Sequence, residues 1–95
     1  MRDYEVVIIV SPAVEEERVG SVVDRVSAWI TGRAGTIDKV EPWGRRKLAY
    51  TINDFREGTY FLLRAKMDPA SVDELENNLR ISEDVIRHMV IRSDG

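Results

Sequence analysis

The same local pattern occurs twice in this chain of 95 residues. An alternating apolar stretch from Arg2 to Val10 leads into Ser11-Pro12-Ala13 and then into apolar residues at helical spacing. Thr59 to Met67 leads in the same way into Asp68-Pro69-Ala70 and a second helical pattern. An oxygen-bearing side chain followed by proline is typical of a helix N-terminus, because the oxygen caps free N–H groups and proline lacks one. Each half of the chain therefore predicts a strand, a helix and another strand.

The first predicted helix starts at Ser11-Pro12 and ends near Gly32 and Gly35. Its acidic run Glu15 to Glu17 suits the positive end of the helix dipole. Trp29 falls in register with the valines of the apolar stripe, so we expect it to pack in the core rather than to stack on a base. The second helix has its own apolar stripe and is broken by Ser82-Glu83-Asp84.

The middle of the chain, Thr36 to Ile52, predicts one long strand bent at Pro42 and Gly44. Proline cannot donate to a strand ladder, which places this strand at a sheet edge or bulge. Glycine at a bend can take a positive φ. We expect Asn53 to Gly58 to form the loop before the next strand, and Val85 to Arg92 to form the last strand.

Two tandem strand-helix-strand units with right-handed crossovers predict an α+β fold of the ferredoxin-like split β-α-β type. Its order is βαββαβ, with a four-stranded antiparallel sheet and both helices on one face. We expect residues 1–92 to form a single domain and residues 93–95 to form a short flexible tail.

The sheet face away from both helices is called the open face. Alternation assigns to it Val7, Ile9, Tyr60, Leu62, Arg64, Lys66, Arg87, Met89 and Ile91, although Ile86, His88 and Val90 compete for the inside of the last strand. Its apolar members suggest that another protein covers part of it. The paired aromatic motifs of RNA-recognition domains are absent, which argues against splayed bases stacking on this face.

Arg45, Arg46 and Lys47 form the densest positive charge in a chain whose formal net charge is -3. Three cations at the bend beside Gly44 suit phosphate oxygens, although short basic runs are usually solvated turns. The acidic balance predicts weak RNA binding by the isolated chain and dependence on a partner.

Other classes of function find little support in the sequence. The chain has no cysteine and a single histidine, so neither a disulfide nor a metal site is expected. No apolar run approaches the length of a membrane span, and the N-terminus leads directly into a strand, which indicates a cytoplasmic protein. No catalytic set, nucleotide-binding loop or cofactor motif is present, so we expect no enzyme, no cofactor and no small-molecule substrate.

The segment Gly44 to Ile52 resembles the signature of the bacterial small-subunit ribosomal protein six family, in which a glycine and a basic cluster precede Leu-Ala-Tyr and an isoleucine. The resemblance extends over essentially the whole chain. It includes Arg2, Tyr4 and Glu5, the Asn53 to Gly58 segment, Leu79-Arg80-Ile81, and Val85, Ile86 and Arg87.

This resemblance implies a structural, ribonucleoprotein role in translation, with binding to the central domain of small-subunit ribosomal RNA on the platform, together with ribosomal protein eighteen. Arg45, Arg46 and Lys47 are then the first candidates for phosphate contacts. Arg2, Arg87 and Arg92 are secondary candidates, and Arg80 is a weaker one. Trp43, Tyr50, Tyr60 and Leu62 are candidates for packing near the partner or the RNA, with a core role as the alternative for Tyr50.

Two alternatives remain at this point. A ferredoxin-like protein-protein module would pair its open face or edge in a homodimer. The ribosomal hypothesis instead predicts a monomer when the protein is free. A small phosphate-cleaving enzyme, such as an acylphosphatase, would need a glycine-rich first loop. This chain has Ser11-Pro12-Ala13-Val14 there instead.

Overall fold

A computed structural model describes residues 1–52 and 54–93, and over these residues the strands and helices alternate as the repeated pattern predicts. The elements are β1 (Arg2–Val10), α1 (Glu16–Thr31), β2 (Thr36–Ile52), β3 (Phe55–Met67), α2 (Pro69–Ile81) and β4 (Val85–Arg92). The four strands form one antiparallel sheet in the order β2-β3-β1-β4. The predicted ferredoxin-like split β-α-β fold is confirmed.

The core lies between one face of the sheet and the two helices, so both helices cover the same face, as predicted. Its buried members are Tyr4, Val6, Ile8 and Val10 of β1, Leu63, Ala65 and Met67 of β3, Val85 of β4, Val22, Val23, Val26 and Ile30 of α1, and Leu75 and Leu79 of α2. Trp29 packs against this cluster, which confirms its predicted structural role. His88 is half-buried and pairs with Ile8, beside the core as expected.

The predicted start of the first helix is wrong, because α1 begins only at Glu16. Ser11 caps a turn instead: its Oγ accepts the N–H of Ala13 at 3.1 Å and its carbonyl accepts the N–H of Val14 at 3.1 Å. The N–H of Ser11 donates to the carbonyl of Asp84 at 2.8 Å, which holds the turn against the start of β4. A hydroxyl before proline serves a turn as well as a helix.

The second helix starts where the sequence predicts. A carboxylate oxygen of Asp68 accepts the N–H of Ala70 at 3.0 Å, and Pro69 is the first helical residue. This pair supplies one of the hydrogen bonds that a helix N-terminus lacks and starts the helix with a residue that needs none.

The predicted loop from Asn53 to Gly58 is too long. β3 begins at Phe55, and Asp54 before it takes a positive φ of 67°. Asn53 lies outside the described residues. The β2 and β3 strands have 17 and 13 residues, against 9 in β1. The last β1–β3 pair is Val10 with Thr59, so residues 46–52 and 55–58 extend beyond the central strand. This extension is called the overhang.

β2 is an edge strand, as Pro42 predicts, and its ladder shifts register between Pro42 and Gly44. Gly44 has a φ of 83°, a conformation that residues with a Cβ seldom adopt. The extra residue at this shift is Trp43, which therefore occupies a β-bulge.

The C-terminal residues are only partly described. The N–H of Ser93 donates to the carbonyl of Asp3 at 2.9 Å, which ties the first residue of the predicted tail to β1. Asp94 and Gly95 lie outside the described residues, so the flexible tail stays a prediction. No helix in the part of the chain that the structure describes is long and apolar enough to cross a membrane.

Alanine substitutions at two exposed glycines should change the free energy of unfolding in opposite directions. Gly44→Ala should destabilise the protein by about 1–2 kcal/mol, because a Cβ disfavours positive φ. Gly20→Ala should stabilise it by about 0.5–1 kcal/mol, because Gly20 lies within α1 and alanine is the better helix former. An added Cβ meets no atom within 4 Å at either position, so backbone conformation alone sets the sign. Urea unfolding measures both, and a Gly44→Ala protein that is as stable as the wild type would contradict the bulge geometry.

Candidate nucleic-acid interface

Strand register confirms the predicted open face. Residues that pair across an antiparallel ladder point to the same face. Val7 pairs with Leu62 and Met89, and Ile9 pairs with Tyr60 and Arg87. Since Ile8 and Val6 point into the core, these pairs lie on the opposite side, away from the helices.

The end of the open face near Asp3 is covered by ion pairs. The Lys66 Nζ lies 3.3 Å from an oxygen of Asp38 and 3.8 Å from one of Asp3, and Arg64 lies 3.4 Å from Glu5. Each pair is exposed and adds little to stability, but together they neutralise the charges of this end. It therefore offers little net attraction to a phosphate backbone.

Two charged groups on β2 and β3, Glu41 and Lys66, show the effect of ion pairs on proton affinity. Asp38, helped by Asp3, raises the pKa of Lys66 above its ordinary value. A hydrogen bond from Lys39, 2.9 Å away, is the main cause that lowers the pKa of Glu41, and the Trp43 side chain contributes to the same shift. Both groups are held in their charged forms at neutral pH.

The other end of the open face is apolar and aromatic. A cavity of about 170 Å³ is lined by Val7, Ile9, Tyr60, Arg87, His88 and Met89. Of these residues, Met89 is 46% exposed, whereas Ile9 is buried. A cavity of this size admits one apolar side chain, with the Arg87 guanidinium at its rim.

Two arginines each lie over an aromatic ring at this end. The guanidinium carbon of Arg46 lies 5.8 Å from the ring centroid of Trp43, and the Nε of Arg46 donates to the carbonyl of Trp43 at 3.3 Å. The Nη1 of Arg87 donates to the Tyr50 hydroxyl at 2.6 Å, with 5.7 Å from its guanidinium carbon to the Tyr50 ring centroid. Tyr50 belongs to edge strand β2 and Arg87 to the opposite edge strand β4, so the overhang bends across the open face.

The structure splits the basic triplet between two faces of β2. Arg46 pairs with Gly58 on the open face, whereas Arg45 pairs with Thr59 and Lys47 with Glu57 on the helix side. Arg45 is neutralised by an ion pair of 2.9 Å with Glu57. Within residues 1–52 and 54–93, Arg46 and Lys47 have no carboxylate partner, so they keep their charge for a ligand.

The other predicted cations do not all lie near the basic triplet of β2. Arg87 lies at the same end of the sheet, because it pairs with Ile9. Arg2 pairs with Met67 and Arg92 with Tyr4, at the other end of β1. The length of β1 separates the two ends by roughly 26 Å. Arg80 belongs to the helix layer, where its Nη1 donates to the Asn77 Oδ1 at 3.0 Å.

The four predicted partner residues differ in how much surface they offer. Trp43 is 39% exposed and Tyr50 is 61% exposed, so a core role for Tyr50 is wrong. Tyr60 is half-buried and lines the apolar cavity. Leu62 points to the open face but is only 4% exposed, so it has little surface for a direct contact.

Arg56 is a cation that the sequence analysis did not single out for a functional role. It lines a hollow on the overhang with Lys47, Tyr50 and Glu57. The alternation of Arg56 with Gly58 and Tyr60 was the available signal, and assigning residues 53–58 to a loop hid it.

The described residues contain no group of three His, Cys, Asp or Glu side chains that could hold a metal ion.

Comparisons with known proteins agree with this geometry. A family described as Ribosomal protein S6 matches residues 3–92. The small ribosomal subunit protein bS6 of Desulforamulus reducens is 40% identical over 92 residues, which are 97% of this chain and 97% of the relative. The bS6 protein of Heliobacterium modesticaldum is 43% identical over 94 residues, 99% and 98% of the two chains. The crystal structure of 30S ribosomal protein S6 from Thermotoga maritima matches with a TM-score of 0.92 at 40% identity, covering 98% of this chain and 88% of that one.

The ion pair of Lys39 with Glu41 predicts a pH dependence of known sign. Because the folded-state pKa of Glu41 lies below its ordinary 4.5, the pair stabilises the fold above that pH and loses its effect as the pH falls through the lowered pKa. Lys39→Gln should raise the Glu41 pKa toward 4.5. Carbon NMR titration of the Glu41 carboxyl group measures this change.

Lys47→Gln is the matched control for this titration, because Lys47 is not among the groups that shift Glu41. It should leave the Glu41 midpoint unchanged. Equal midpoints in the wild-type and Lys39→Gln proteins would contradict the ion pair.

Proposed function

This chain belongs to the ribosomal protein S6 family, a structural and non-enzymatic component of the small ribosomal subunit, and on that premise we propose that it binds ribosomal RNA jointly with a second ribosomal protein. The RNA is the central domain of the small-subunit ribosomal RNA, on the platform of the cytoplasmic ribosome. The protein partner is ribosomal protein eighteen, as the sequence resemblance implies.

The observation that carries this proposal is the concentration of unneutralised cations beside exposed aromatic rings at one end of the open face. Arg46 and Arg87 lie there without a carboxylate partner among the described residues, and Lys47, also without one, follows Arg46 on the helix side of β2. The cations at the opposite end of the open face are held in ion pairs. Phosphate groups supply the missing counter-charge. Bidentate hydrogen bonding also makes an arginine guanidinium a good phosphate ligand.

The second part of the proposal, joint binding, follows from the small number of available cations. A net charge of -3 repels RNA beyond the immediate contact, and a few phosphate contacts give only weak, salt-sensitive affinity. A basic protein partner would be attracted to the remaining acidic surface and would add phosphate contacts of its own. The complex would then bind RNA where neither protein binds tightly alone.

The apolar cavity beside Arg87 is the proposed binding site for the protein partner. Met89 and Ile91 stay exposed next to it, and the Tyr60 ring forms one wall. Exposed apolar surface of this kind is unusual on a protein that works alone. We therefore expect the partner to insert an apolar side chain into the cavity while RNA contacts the overhang.

The same exposed Met89 and Ile91 favour one rival function, a homodimer through the open face. Sedimentation velocity without RNA separates the two ideas. The joint-binding proposal expects a monomer over the micromolar range, and a concentration-dependent dimer would occupy the surface assigned here to the partner.

Neutralising the free cations of the overhang should weaken RNA binding and its dependence on salt. For the double variant Arg46→Gln/Lys47→Gln, the slope of log affinity against log salt should fall by about 1.5, because two phosphate contacts are lost. Arg45→Gln should have a smaller effect, since Glu57 already pairs with Arg45. Fluorescence anisotropy of a labelled central-domain fragment, with ribosomal protein eighteen present and salt varied, measures these slopes.

Arg18→Gln provides the control, because Arg18 is an exposed cation on α1, away from the overhang. It changes the net charge by one unit and should leave the slope nearly unaltered. If Arg18→Gln weakens binding as much per charge as the double variant, the effect comes from overall charge and the assignment of the overhang fails.

A further inference from the structure

We propose that the exposed ring of Trp43 is a stacking surface for one unpaired RNA base, and that Arg46 contacts the phosphate next to that base. This inference rests on the proposed function, because it requires RNA to reach the overhang. It adds the class of nucleotide that is recognised and the side chain that recognises it.

The β-bulge gives Trp43 its position. Pro42 pairs with Phe61 and Gly44 pairs with Tyr60, which leaves Trp43 as the extra residue between them. A bulge redirects the side chain of its extra residue away from the regular alternation of the strand. Because β2 is an edge strand, no neighbouring strand lies on its outer side to cover the indole.

The Trp43 ring is held in place rather than left to rotate. The Arg46 guanidinium lies over the ring at 5.8 Å from its centroid and also donates through Nε to the carbonyl of Trp43. The indole lies close enough to Glu41 to help lower the pKa of that carboxyl. An aromatic ring whose orientation is already set loses little conformational freedom when a base stacks on it.

The other tryptophan shows that the exposure of Trp43 is not general for this chain. Trp29 packs against the hydrophobic core, whereas 39% of Trp43 is exposed on the strand edge. Trp43 is not among the hydrophobic residues that form this core or pack against it. The large aromatic surface is therefore available to a ligand.

The charges around Trp43 favour RNA over protein at this point. Arg46 and Lys47 follow it in the same strand, and neither has a carboxylate partner among the described residues. A basic partner protein would be repelled here. An RNA nucleotide satisfies both features, since its base stacks on the ring while its phosphate meets the guanidinium. Bases inside a duplex are not accessible to a ring, so the nucleotide must be unpaired.

A protein with one tryptophan makes this contact visible. In Trp29→Phe, all tryptophan fluorescence comes from Trp43, and Phe should keep the core packed well enough for a cooperative thermal transition. Titration with a central-domain RNA fragment in the presence of ribosomal protein eighteen should quench Trp43, because a stacked base quenches indole emission. The RNA affinity of Trp29→Phe itself should equal that of the wild type.

Affinity measurements on the same RNA separate stacking from simple apolar contact. Trp43→Ala should lose about tenfold or more in RNA affinity, Trp43→Phe should retain most of it, and Trp43→Leu should behave like Trp43→Ala. Leucine keeps apolar bulk but has no ring. Thermal unfolding of each variant confirms that it is folded before its affinity is compared.

Several outcomes would overturn the inference. If RNA binds but Trp43 is not quenched, or if Trp43→Ala or Trp43→Leu keeps full affinity, stacking is wrong and joint RNA binding still stands. If ribosomal protein eighteen alone quenches Trp43 and Trp43→Ala weakens the protein complex, the ring is a protein contact. If no variant and no wild-type complex binds the RNA, the inference falls together with the proposed function.

Discussion

From Val6 to Val10 the central strand β1 is apolar on both faces, and much of the molecule follows from that constraint. Its helix-facing side chains Val6, Ile8 and Val10 are fully buried, and Ile9 on the other face is buried as well. Because β1 and β3 supply the burial, the edge strands β2 and β4 are free to carry charged and aromatic side chains. The apolar patch on the open face lies beside these buried residues of β1, and the helices leave it uncovered. The surface available to a partner is therefore a consequence of how the sheet is stabilised.

Unequal strand lengths then create the interface. β2 and β3 continue past the end of β1, where no other strand can pair with them, and the overhang bends over the open face until Tyr50 meets Arg87. This contact joins opposite edges of the sheet and brings cations from two distant parts of the sequence to one end. At the other end, ion pairs such as Lys66 with Asp38 remove the attraction for RNA. A net-acidic chain can in this way present one local basic surface.

Local chemistry predicted the bounds of β1, β2 and β4, the edge position of β2 and the cap at Asp68. It failed at Ser11, whose hydroxyl caps a turn, and at residues 55–58, whose pairing with the end of β2 makes them a strand despite their polar composition. The site was harder to predict, because one extra residue at Trp43 reverses the alternation beyond it. The register shift decides that Arg46, and not Arg45, points to the open face, and only strand order shows that Arg2 and Arg92 lie far from both. The pairing of Arg87 with Tyr50 depends on the bend of the overhang, which no sequence pattern encodes.

In the proposed complex, RNA and the partner protein meet at the overhang end of the open face. Backbone amide chemical shifts of the isotope-labelled protein, recorded free and in complex with ribosomal protein eighteen and the central-domain fragment, test this claim most directly. We predict that the largest shifts cluster at residues 43–50, 56–60 and 87–89, with small changes on the exposed faces of α1 and α2. Shifts concentrated at the Arg2 end of the sheet or on the helices would contradict the account.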